Sequence, residues 1–275
     1  MTLKRRINTY DLTNKELSIQ VHLSGLSFCV LNRVENKIEA FHYEDFENTL
    51  TPDVLEEKLK DIFEAHSTIK ALRKLYLIHS NELSAFVPEA MFSKEHLSDY
   101  LKFNVKILES DVLVFDEIPE AALVNVYVPY MNITNFFFDL FGSFEYKHAA
   151  SLLIEQLMQK SVRNDQPVMY ADIHSTHFEL VVMKHGKLIY YNSFFYDTPE
   201  DFIYYVLFAA EQLSMDPNLF SFEFLKAIEK EDMKYQYAYQ YIRNVNIHKH
   251  RFKFKISESI DEENLSQAHL LLSSF

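Results

Sequence analysis

Residues 168–195 read VMYADIHSTHFELVVMKHGKLIYYNSFF, and Thr198-Pro199-Glu200-Asp201 follows two residues later. Three runs rich in β-branched and aromatic residues are separated by Ser175-Thr176 and by His185-Gly186, so the stretch predicts a three-stranded antiparallel meander. The Thr-Pro-acid run predicts a helix start, with Thr198 as N-cap, Pro199 in the first turn and the acids facing the positive end of the helix dipole. Phe202, Tyr205, Val206, Ala209 and Leu213 then share one helical face.

The same plan occurs upstream. ELSIQVHL (16–23), a Ser24-Gly25 turn, LSFCVLN (26–32), a VENK turn and IEAFHYEDF make another meander, and Thr51-Pro52-Asp53 opens a helix to about residue 66 with Leu55, Leu59, Ile62 and Phe63 on its apolar face. An offset of about 150 lays His22 on Asp172, Phe28 on Phe178 and Lys37 on Lys187, while the two helix starts differ by about 147. This recurrence predicts an α/β protein built twice on one plan, with a first half over residues 1–160, a second over 161–275 and a small insert at about 80–120. Other segments fill in around these units. KLYLIHS, ALVNVYVP, FEYKH and LFSFEFL read as strands, and residues 93–103 as a helix. ITNFFFDLF is a helix stopped by Gly142, AASLLIEQLMQK is another, SVRNDQP (161–167) is a linker, RFKFKI an edge strand and residues 261–275 a helix.

Composition removes several function classes. Forty acidic against 27 basic side chains give a formal charge of −13, which repels nucleic acid. Gly25, Gly142 and Gly186 are the three glycines of the chain, and neither GxGxxG nor GxxxxGK[ST] occurs. Phosphate-wrapping loops need glycine for close backbone approach, so Rossmann, P-loop and kinase readings fall away. Cys29 is the single cysteine, set in the apolar run LSFCVL, and reads as a core residue rather than a redox group. No apolar stretch approaches the roughly 20 residues that span a bilayer, and the polar start MTLKRRINTYDLTNK lacks a signal-peptide core; a cytoplasmic protein without membrane insertion is expected.

The order of elements resembles the actin-like ATPase (ribonuclease H-like) fold, and within it the cytoplasmic platform proteins of type IV pili and type II secretion. YADIHSTHFELVVMKHGKLIYYNSF is similar to their strand ending in Asp, short turn and "strand, x-x-G-K, strand" pattern. LYLIHSNELSAFVPEAMFSKEHLSDYLKF resembles their inserted segment, and VNVYVP and FEYKHAASLLIEQL their next strand, helix, strand and helix. The resemblance points to an uncharacterised bacterial family with a degenerate version of this fold. Its two phosphate loops, Asp-x-Gly followed by small residues, are altered here. The first is Val21-His22-Leu23-Ser24-Gly25-Leu26, without the Asp, and the second is Asp172-Ile173-His174-Ser175-Thr176, with His174 at the glycine. Between Leu219 and Asp232 the glycine pair that approaches adenosine has no counterpart. The resemblance therefore implies a non-catalytic module that binds a protein partner, with no cofactor. The alternative it leaves is an ATP-binding protein holding Mg²⁺ and nucleotide between its halves through Ser24, Gly25, Asp172, Ser175 and Thr176. A metal-dependent hydrolase is a third reading, but it needs several strand-end carboxylates and only Asp172 is well placed.

Other chemistry is weaker. Three imidazoles, His22, His174 and His177, would suit zinc, yet His174 and His177 have opposite parity along an extended chain and are expected on opposite faces, so no metal site is assigned. His248-Lys249-His250-Arg251 reads as a solvated strand end, and the neighbours Glu56 and Glu57, or Glu262 and Glu263, as solvated helix faces. In EDMKYQYAYQYI, Tyr235, Tyr237, Tyr239 and Tyr241 alternate and must spread around a helix, which predicts some outward-facing rings suited to a protein interface.

Overall fold

A computed structural model describes residues 14–65, 72, 74–103, 105–160, 166–250 and 252–275. The first meander is β1 (Lys15–His22), β2 (Gly25–Asn32) and β3 (Lys37–Asp45), followed by α1 (Pro52–Ala65) and β4 (Lys74–His79). Next come β5 (Ser84–Pro88), a short α2 (Leu97–Leu101), β6 (Val114–Ile118), β7 (Leu123–Tyr127), α3 (Met131–Phe141), β8 (Glu145–His148) and α4 (Ala149–Lys160). The second meander is β9 (Val168–Ile173), β10 (His177–Lys184) and β11 (Lys187–Phe195), and α5 (Pro199–Gln212), β12 (Ser221–Phe224), α6 (Met233–Tyr241) and β13 (Asn244–Ile247) follow it. The chain then forms β14 (Lys255–Ile256), α7 (Glu262–Gln267) and α8 (His269–Ser273).

Two mixed sheets carry the architecture, in the orders β14-β3-β2-β1-β4-β8 and β11-β10-β9-β12-β13. In both, an antiparallel meander is extended on its first strand by two parallel strands, β4 and β8 in one and β12 and β13 in the other. Parallel neighbours need crossover connections, and α1, α3, α5 and α6 lie on those crossovers. The predicted N-caps are in place. The Thr198 hydroxyl accepts from the Asp201 amide while the Asp201 carboxylate accepts from the Thr198 amide, and the Thr51 hydroxyl accepts from the Val54 amide.

The insert is a separate three-stranded antiparallel sheet, β5-β7-β6. It extends to Tyr127, beyond the expected 80–120, so VNVYVP is a strand of the insert rather than of the main body. The reason lies in β7 itself: Val124 and Val126 close a small core with Val87 and Leu101. Residues 93–103 form a 3-10 turn and the short α2 instead of one continuous helix. Asp116 of β6 ties the insert to the first sheet, because its carboxylate accepts from the His148 amide at 2.8 Å and the Ser151 hydroxyl at 2.6 Å, at the start of α4.

The layering explains why both sheets are apolar on both faces. Leu17, Ile19 and Val21 of β1 face α1 and α3, and Phe178, Leu180 and Val182 of β10 face α5 and α6. The inward residues Cys29, Leu31, Val181 and Met183 share a single core with Leu153 and Leu157 of α4 and Leu270 and Leu271 of α8. Cys29 is thus a core residue, as expected, and burial pushes its thiol pKa up.

Of the described residues of RFKFKI, Lys255 and Ile256 form a strand, and that strand pairs with β3 of the first sheet. The predicted tail helix is two helices meeting at Ala268. Ser274 donates to the Ser18 hydroxyl of β1 at 2.8 Å, and Arg33 donates to the Phe275 carbonyl at 3.0 Å. Residues 255–275 therefore complete the first half although they follow the second. Residues 161–165 of the predicted linker, and the end of the first helix at residue 66, lie outside the described residues.

Two buried histidines of the first half are fixed as neutral rings. At His79 the Tyr130 amide donates to Nδ1 and Nε2 faces the Thr134 hydroxyl at 3.2 Å; at His148 the Ala150 amide donates to Nδ1 at 3.1 Å and Nε2–H donates to the Asn81 carbonyl at 3.1 Å. Burial, together with the neighbouring His148, pushes the His79 pKa down to about 3, and burial pushes that of His148 down to about 4. A lowered histidine pKa costs nothing above the unfolded value of about 6.5 and destabilises the fold as pH falls below it, because only the unfolded chain takes up the proton. Each ring should cost about 2 kcal/mol at pH 5. Chemical denaturation at pH 7.5 and pH 5 should show that loss. In His79→Gln with His148→Gln the difference should shrink, and an unchanged pH dependence would refute the assignment.

Candidate functional site at the cleft between the sheets

The two β-hairpin turns that open the meanders face each other across the molecule. The first is His22-Leu23-Ser24-Gly25, with His22 opposite Gly25. The second is His174-Ser175-Thr176-His177, closed by the His174 amide donating to the His177 carbonyl at 2.9 Å. In a hairpin with two loop residues, the flanking positions are cross-strand neighbours and point to one face. Single-strand parity therefore misplaced the pair. His174 and His177 stack with ring centres 4.5 Å apart and planes within 3°, and His22 adds to the stack 4.9 Å from His177.

The hairpin register also corrects the internal alignment at this point. His22 occupies the place of His174, not of Asp172, whose counterpart in the first half is Gln20. The two-residue discrepancy disappears at the next turn, because β2 and β3 are joined by four residues where β10 and β11 are joined by two. Gly25 has a packing reason. A Cβ there would stand 2.8 Å from the Glu44 carbonyl oxygen and 3.2 Å from a carboxylate oxygen of Asp45.

Asp172 is fully enclosed behind the second turn. Lys226, just past β12, sets its ammonium 3.1 Å from Oδ1, and His269 of α8 and His174 place Nε2 at 3.4 and 3.7 Å from Oδ2. The Lys226 ammonium also donates to the Ile173 carbonyl at 3.0 Å and lies 3.0 Å from His174 Nδ1. Burial alone would raise the Asp172 pKa, but Lys226, His174 and His269 hold it well below the usual carboxylate range. Burial and Lys226 oppose protonation of His174, yet Asp172 and Glu179, the latter 3.1 Å from Nε2, raise its pKa above the ordinary value. At His177 burial dominates, reinforced by His174, His22 and Lys226, and the pKa falls well below the ordinary value.

Of the five residues named for nucleotide, Ser24, Gly25 and Ser175 line the space between the turns, with Gln20, His22, Tyr43, His174 and Lys226. That space is about 40 Å³, room for about three waters at roughly 10–15 Å³ each. Thr176 turns its hydroxyl toward His177 Nδ1 at 3.4 Å instead. A second hollow of about 300 Å³ adjoins it on the second half, walled by Ile173, Tyr196, Phe224, Ile228 and Lys234. As they stand, these residues do not fit a hydrated magnesium and triphosphate between the turns. The ammonium of Lys226 already occupies the cation position on Asp172, and imidazoles fill the room a phosphate would need.

Glu82, Glu179, Lys226 and His269 were not picked out from the sequence. Glu179 had a local signal, a carboxylate inside the otherwise apolar HFELVVMK, and Lys226 closes a strand of aromatic residues. His248 and His250 are not a solvated end: His248 Nδ1 lies 2.7 Å from Glu223 Oε2, and His250 bonds the Leu225 carbonyl. The tyrosines of α6 divide as anticipated. Tyr235 and Tyr237 pack on the core, whereas Tyr239 and Tyr241 are exposed.

Two mixed sheets of this order, facing each other across a hairpin-lined cleft, define the actin-like ATPase fold. A Bacteroides thetaiotaomicron protein with actin-like ATPase fold and unknown function matches with a TM-score of 0.79 at 18% identity, over 88% of this chain and 93% of that one. A chain of the PilM-PilN type IV pilus biogenesis complex matches with a TM-score of 0.55 at 12% identity, over 94% and 97% respectively. No curated protein sequence matches the chain. The family described as Protein of unknown function (DUF3822) matches residues 4–245, and the chain belongs to it.

Three variants test the packing of the cleft. Lys226→Met strands a buried carboxylate and should cost about 3–5 kcal/mol, lowering Tm by roughly 5–10 °C, whereas adding Asp172→Asn should recover most of the loss. Gly25→Ala should cost about 1–3 kcal/mol by pushing β2 from β3. Thermal melts of the three variants check both statements, and a neutral Lys226→Met would show that Asp172 does not depend on that ammonium.

Proposed function

We propose that this protein is a non-catalytic, cytoplasmic member of the actin-like ATPase fold that works by binding another protein. The observation that carries the reading is Lys226. A lysine ammonium paired with the enclosed Asp172 supplies internally the positive charge that magnesium would bring, and the stacked histidines leave only about 40 Å³ between the turns. The scaffold is kept while its phosphate-binding chemistry is replaced by side chains that bind each other. No helix among the described residues is long and apolar enough to cross a membrane.

Two features support a protein partner. The similar chain of the type IV pilus complex belongs to a protein assembly. On the second half, the packed helices α5 and α6 expose Tyr204 and Phe208, which stack on each other, together with Tyr239 and Tyr241. Exposed tyrosines offer contact area with a polar tip at low entropic cost, which suits an interface rather than a core.

Thermal melting with and without millimolar Mg·ATP, ADP and GTP tests the first part. A ligand at a hundredfold excess over Kd would stabilise the folded state by about 2.7 kcal/mol and raise Tm by several degrees. No shift is expected. A shift abolished by Asp172→Ala would overturn the reading and make the chain a nucleotide binder that rearranges Lys226.

A further inference from the structure

We propose that His22, Glu82 and His177 form a divalent transition-metal site, of the zinc class, that joins the two halves of the molecule across the cleft. This goes beyond the protein-binding reading and does not depend on it. The three residues present one ligand atom each, and these atoms lie within 4.8 Å of one another. His22 Nε2 and Glu82 Oε1 are already 3.7 Å apart. Tetrahedral zinc with ligand bonds of about 2.0–2.2 Å needs neighbouring donors about 3.4 Å apart, so side-chain shifts of about an ångström complete the site.

The chain positions all three donors firmly. His22 ends β1 and His177 begins β10. Glu82 sits on a short loop pinned on both sides. The Ser80 amide donates to the Val21 carbonyl at 2.9 Å, and the Asn81 side chain donates to the Val128 carbonyl at 2.9 Å while accepting from the Leu83 amide. Each imidazole has a turn hydroxyl beside its other nitrogen. Ser24 Oγ is 2.6 Å from His22 Nδ1, and Thr176 Oγ1 is 3.4 Å from His177 Nδ1. At His177, a cation on Nε2 would leave Nδ1–H to donate to the Thr176 hydroxyl. At His22 the Ser24 amide donates to Nδ1 at 3.0 Å, so Nε2 carries the proton in the metal-free protein, and an ion bound there must displace that proton and turn the Ser24 amide aside.

The donor set selects the ion. Two imidazoles and one carboxylate suit zinc and its first-row neighbours, whereas magnesium and calcium take oxygen ligands. Glu82 is partly exposed and His177 is buried, so an ion would enter from the Glu82 side and keep one position open to water. A second cluster, His174, His177 and Glu179, has similar spacing. It is the poorer site, because the Lys226 ammonium lies 3.0 and 3.3 Å from the two ring nitrogens of His174 and would repel a second cation.

The test is titration of the metal-stripped protein with Zn²⁺ by calorimetry and with Co²⁺ by visible absorption. The wild type is expected to take up one equivalent of either ion, with the absorption bands of low-coordinate Co²⁺. Glu82→Gln and His22→Gln should weaken uptake at least tenfold, while His174→Gln should change it less than threefold. Glu82→Gln alters a partly exposed loop side chain, and its metal-free melt should match the wild type, which separates lost ligation from lost folding. No stoichiometric uptake at 100 µM ion, or uptake unchanged in both Glu82→Gln and His22→Gln, would overturn the site. Uptake that survives Glu82→Gln but is lost in His174→Gln would overturn the bridge across the halves in favour of the hairpin cluster.

Discussion

A carboxylate with no exposure to water must have its charge answered from within the protein, and Asp172 sets that requirement at the centre of this molecule. The answer comes from three separate parts of the chain: the hairpin turn through His174, the end of β12 through Lys226 and the returning helix α8 through His269. His269 is itself held by Gln156 of α4, so the carboxylate is linked to the helices that fill the space between the sheets. One buried charge thus fixes the spacing of the turn, the parallel strand beside it and the C-terminal helix.

The same contacts explain the loss of space in the cleft. In a fold whose halves face each other through hairpin turns, whatever bridges the turns decides whether the halves move. Here the bridging groups are side chains already in contact, His22 on one turn and His174 and His177 on the other. A cleft packed in this way favours one relative placement of the halves and puts the surfaces available for recognition on the outside, where α5 and α6 carry their exposed rings.

The fold was largely legible because its signals are local. Strand alternation, two-residue turns and two Thr-Pro-acid caps each lie within a dozen residues, and together they predict both meanders and the helices that follow. What was missed depends on pairing. The stacking of His174 on His177 follows from hairpin register rather than from strand parity, and the match of His22 to His174 required knowing that two loops differ by two residues. Lys226, Glu82 and His269 reach the site from segments far apart in sequence, and no spacing within one segment reports that. The extent of the insert was underread for the same reason, since only cross-strand pairing assigns Leu123–Tyr127 to the small sheet.

The return of residues 255–273 to the first sheet has a consequence for how the protein comes into being. When synthesis has passed α4, the inner face of the first sheet, with Cys29, Leu31 and Ile38, still lacks β14 and α8 as cover. More than a hundred further residues must be made before those elements exist, which at about 5–20 residues per second is on the order of ten seconds. For that interval the inner apolar face of the nascent first half has α4 against it but not α8, and the uncovered part is the kind of surface that chaperones hold.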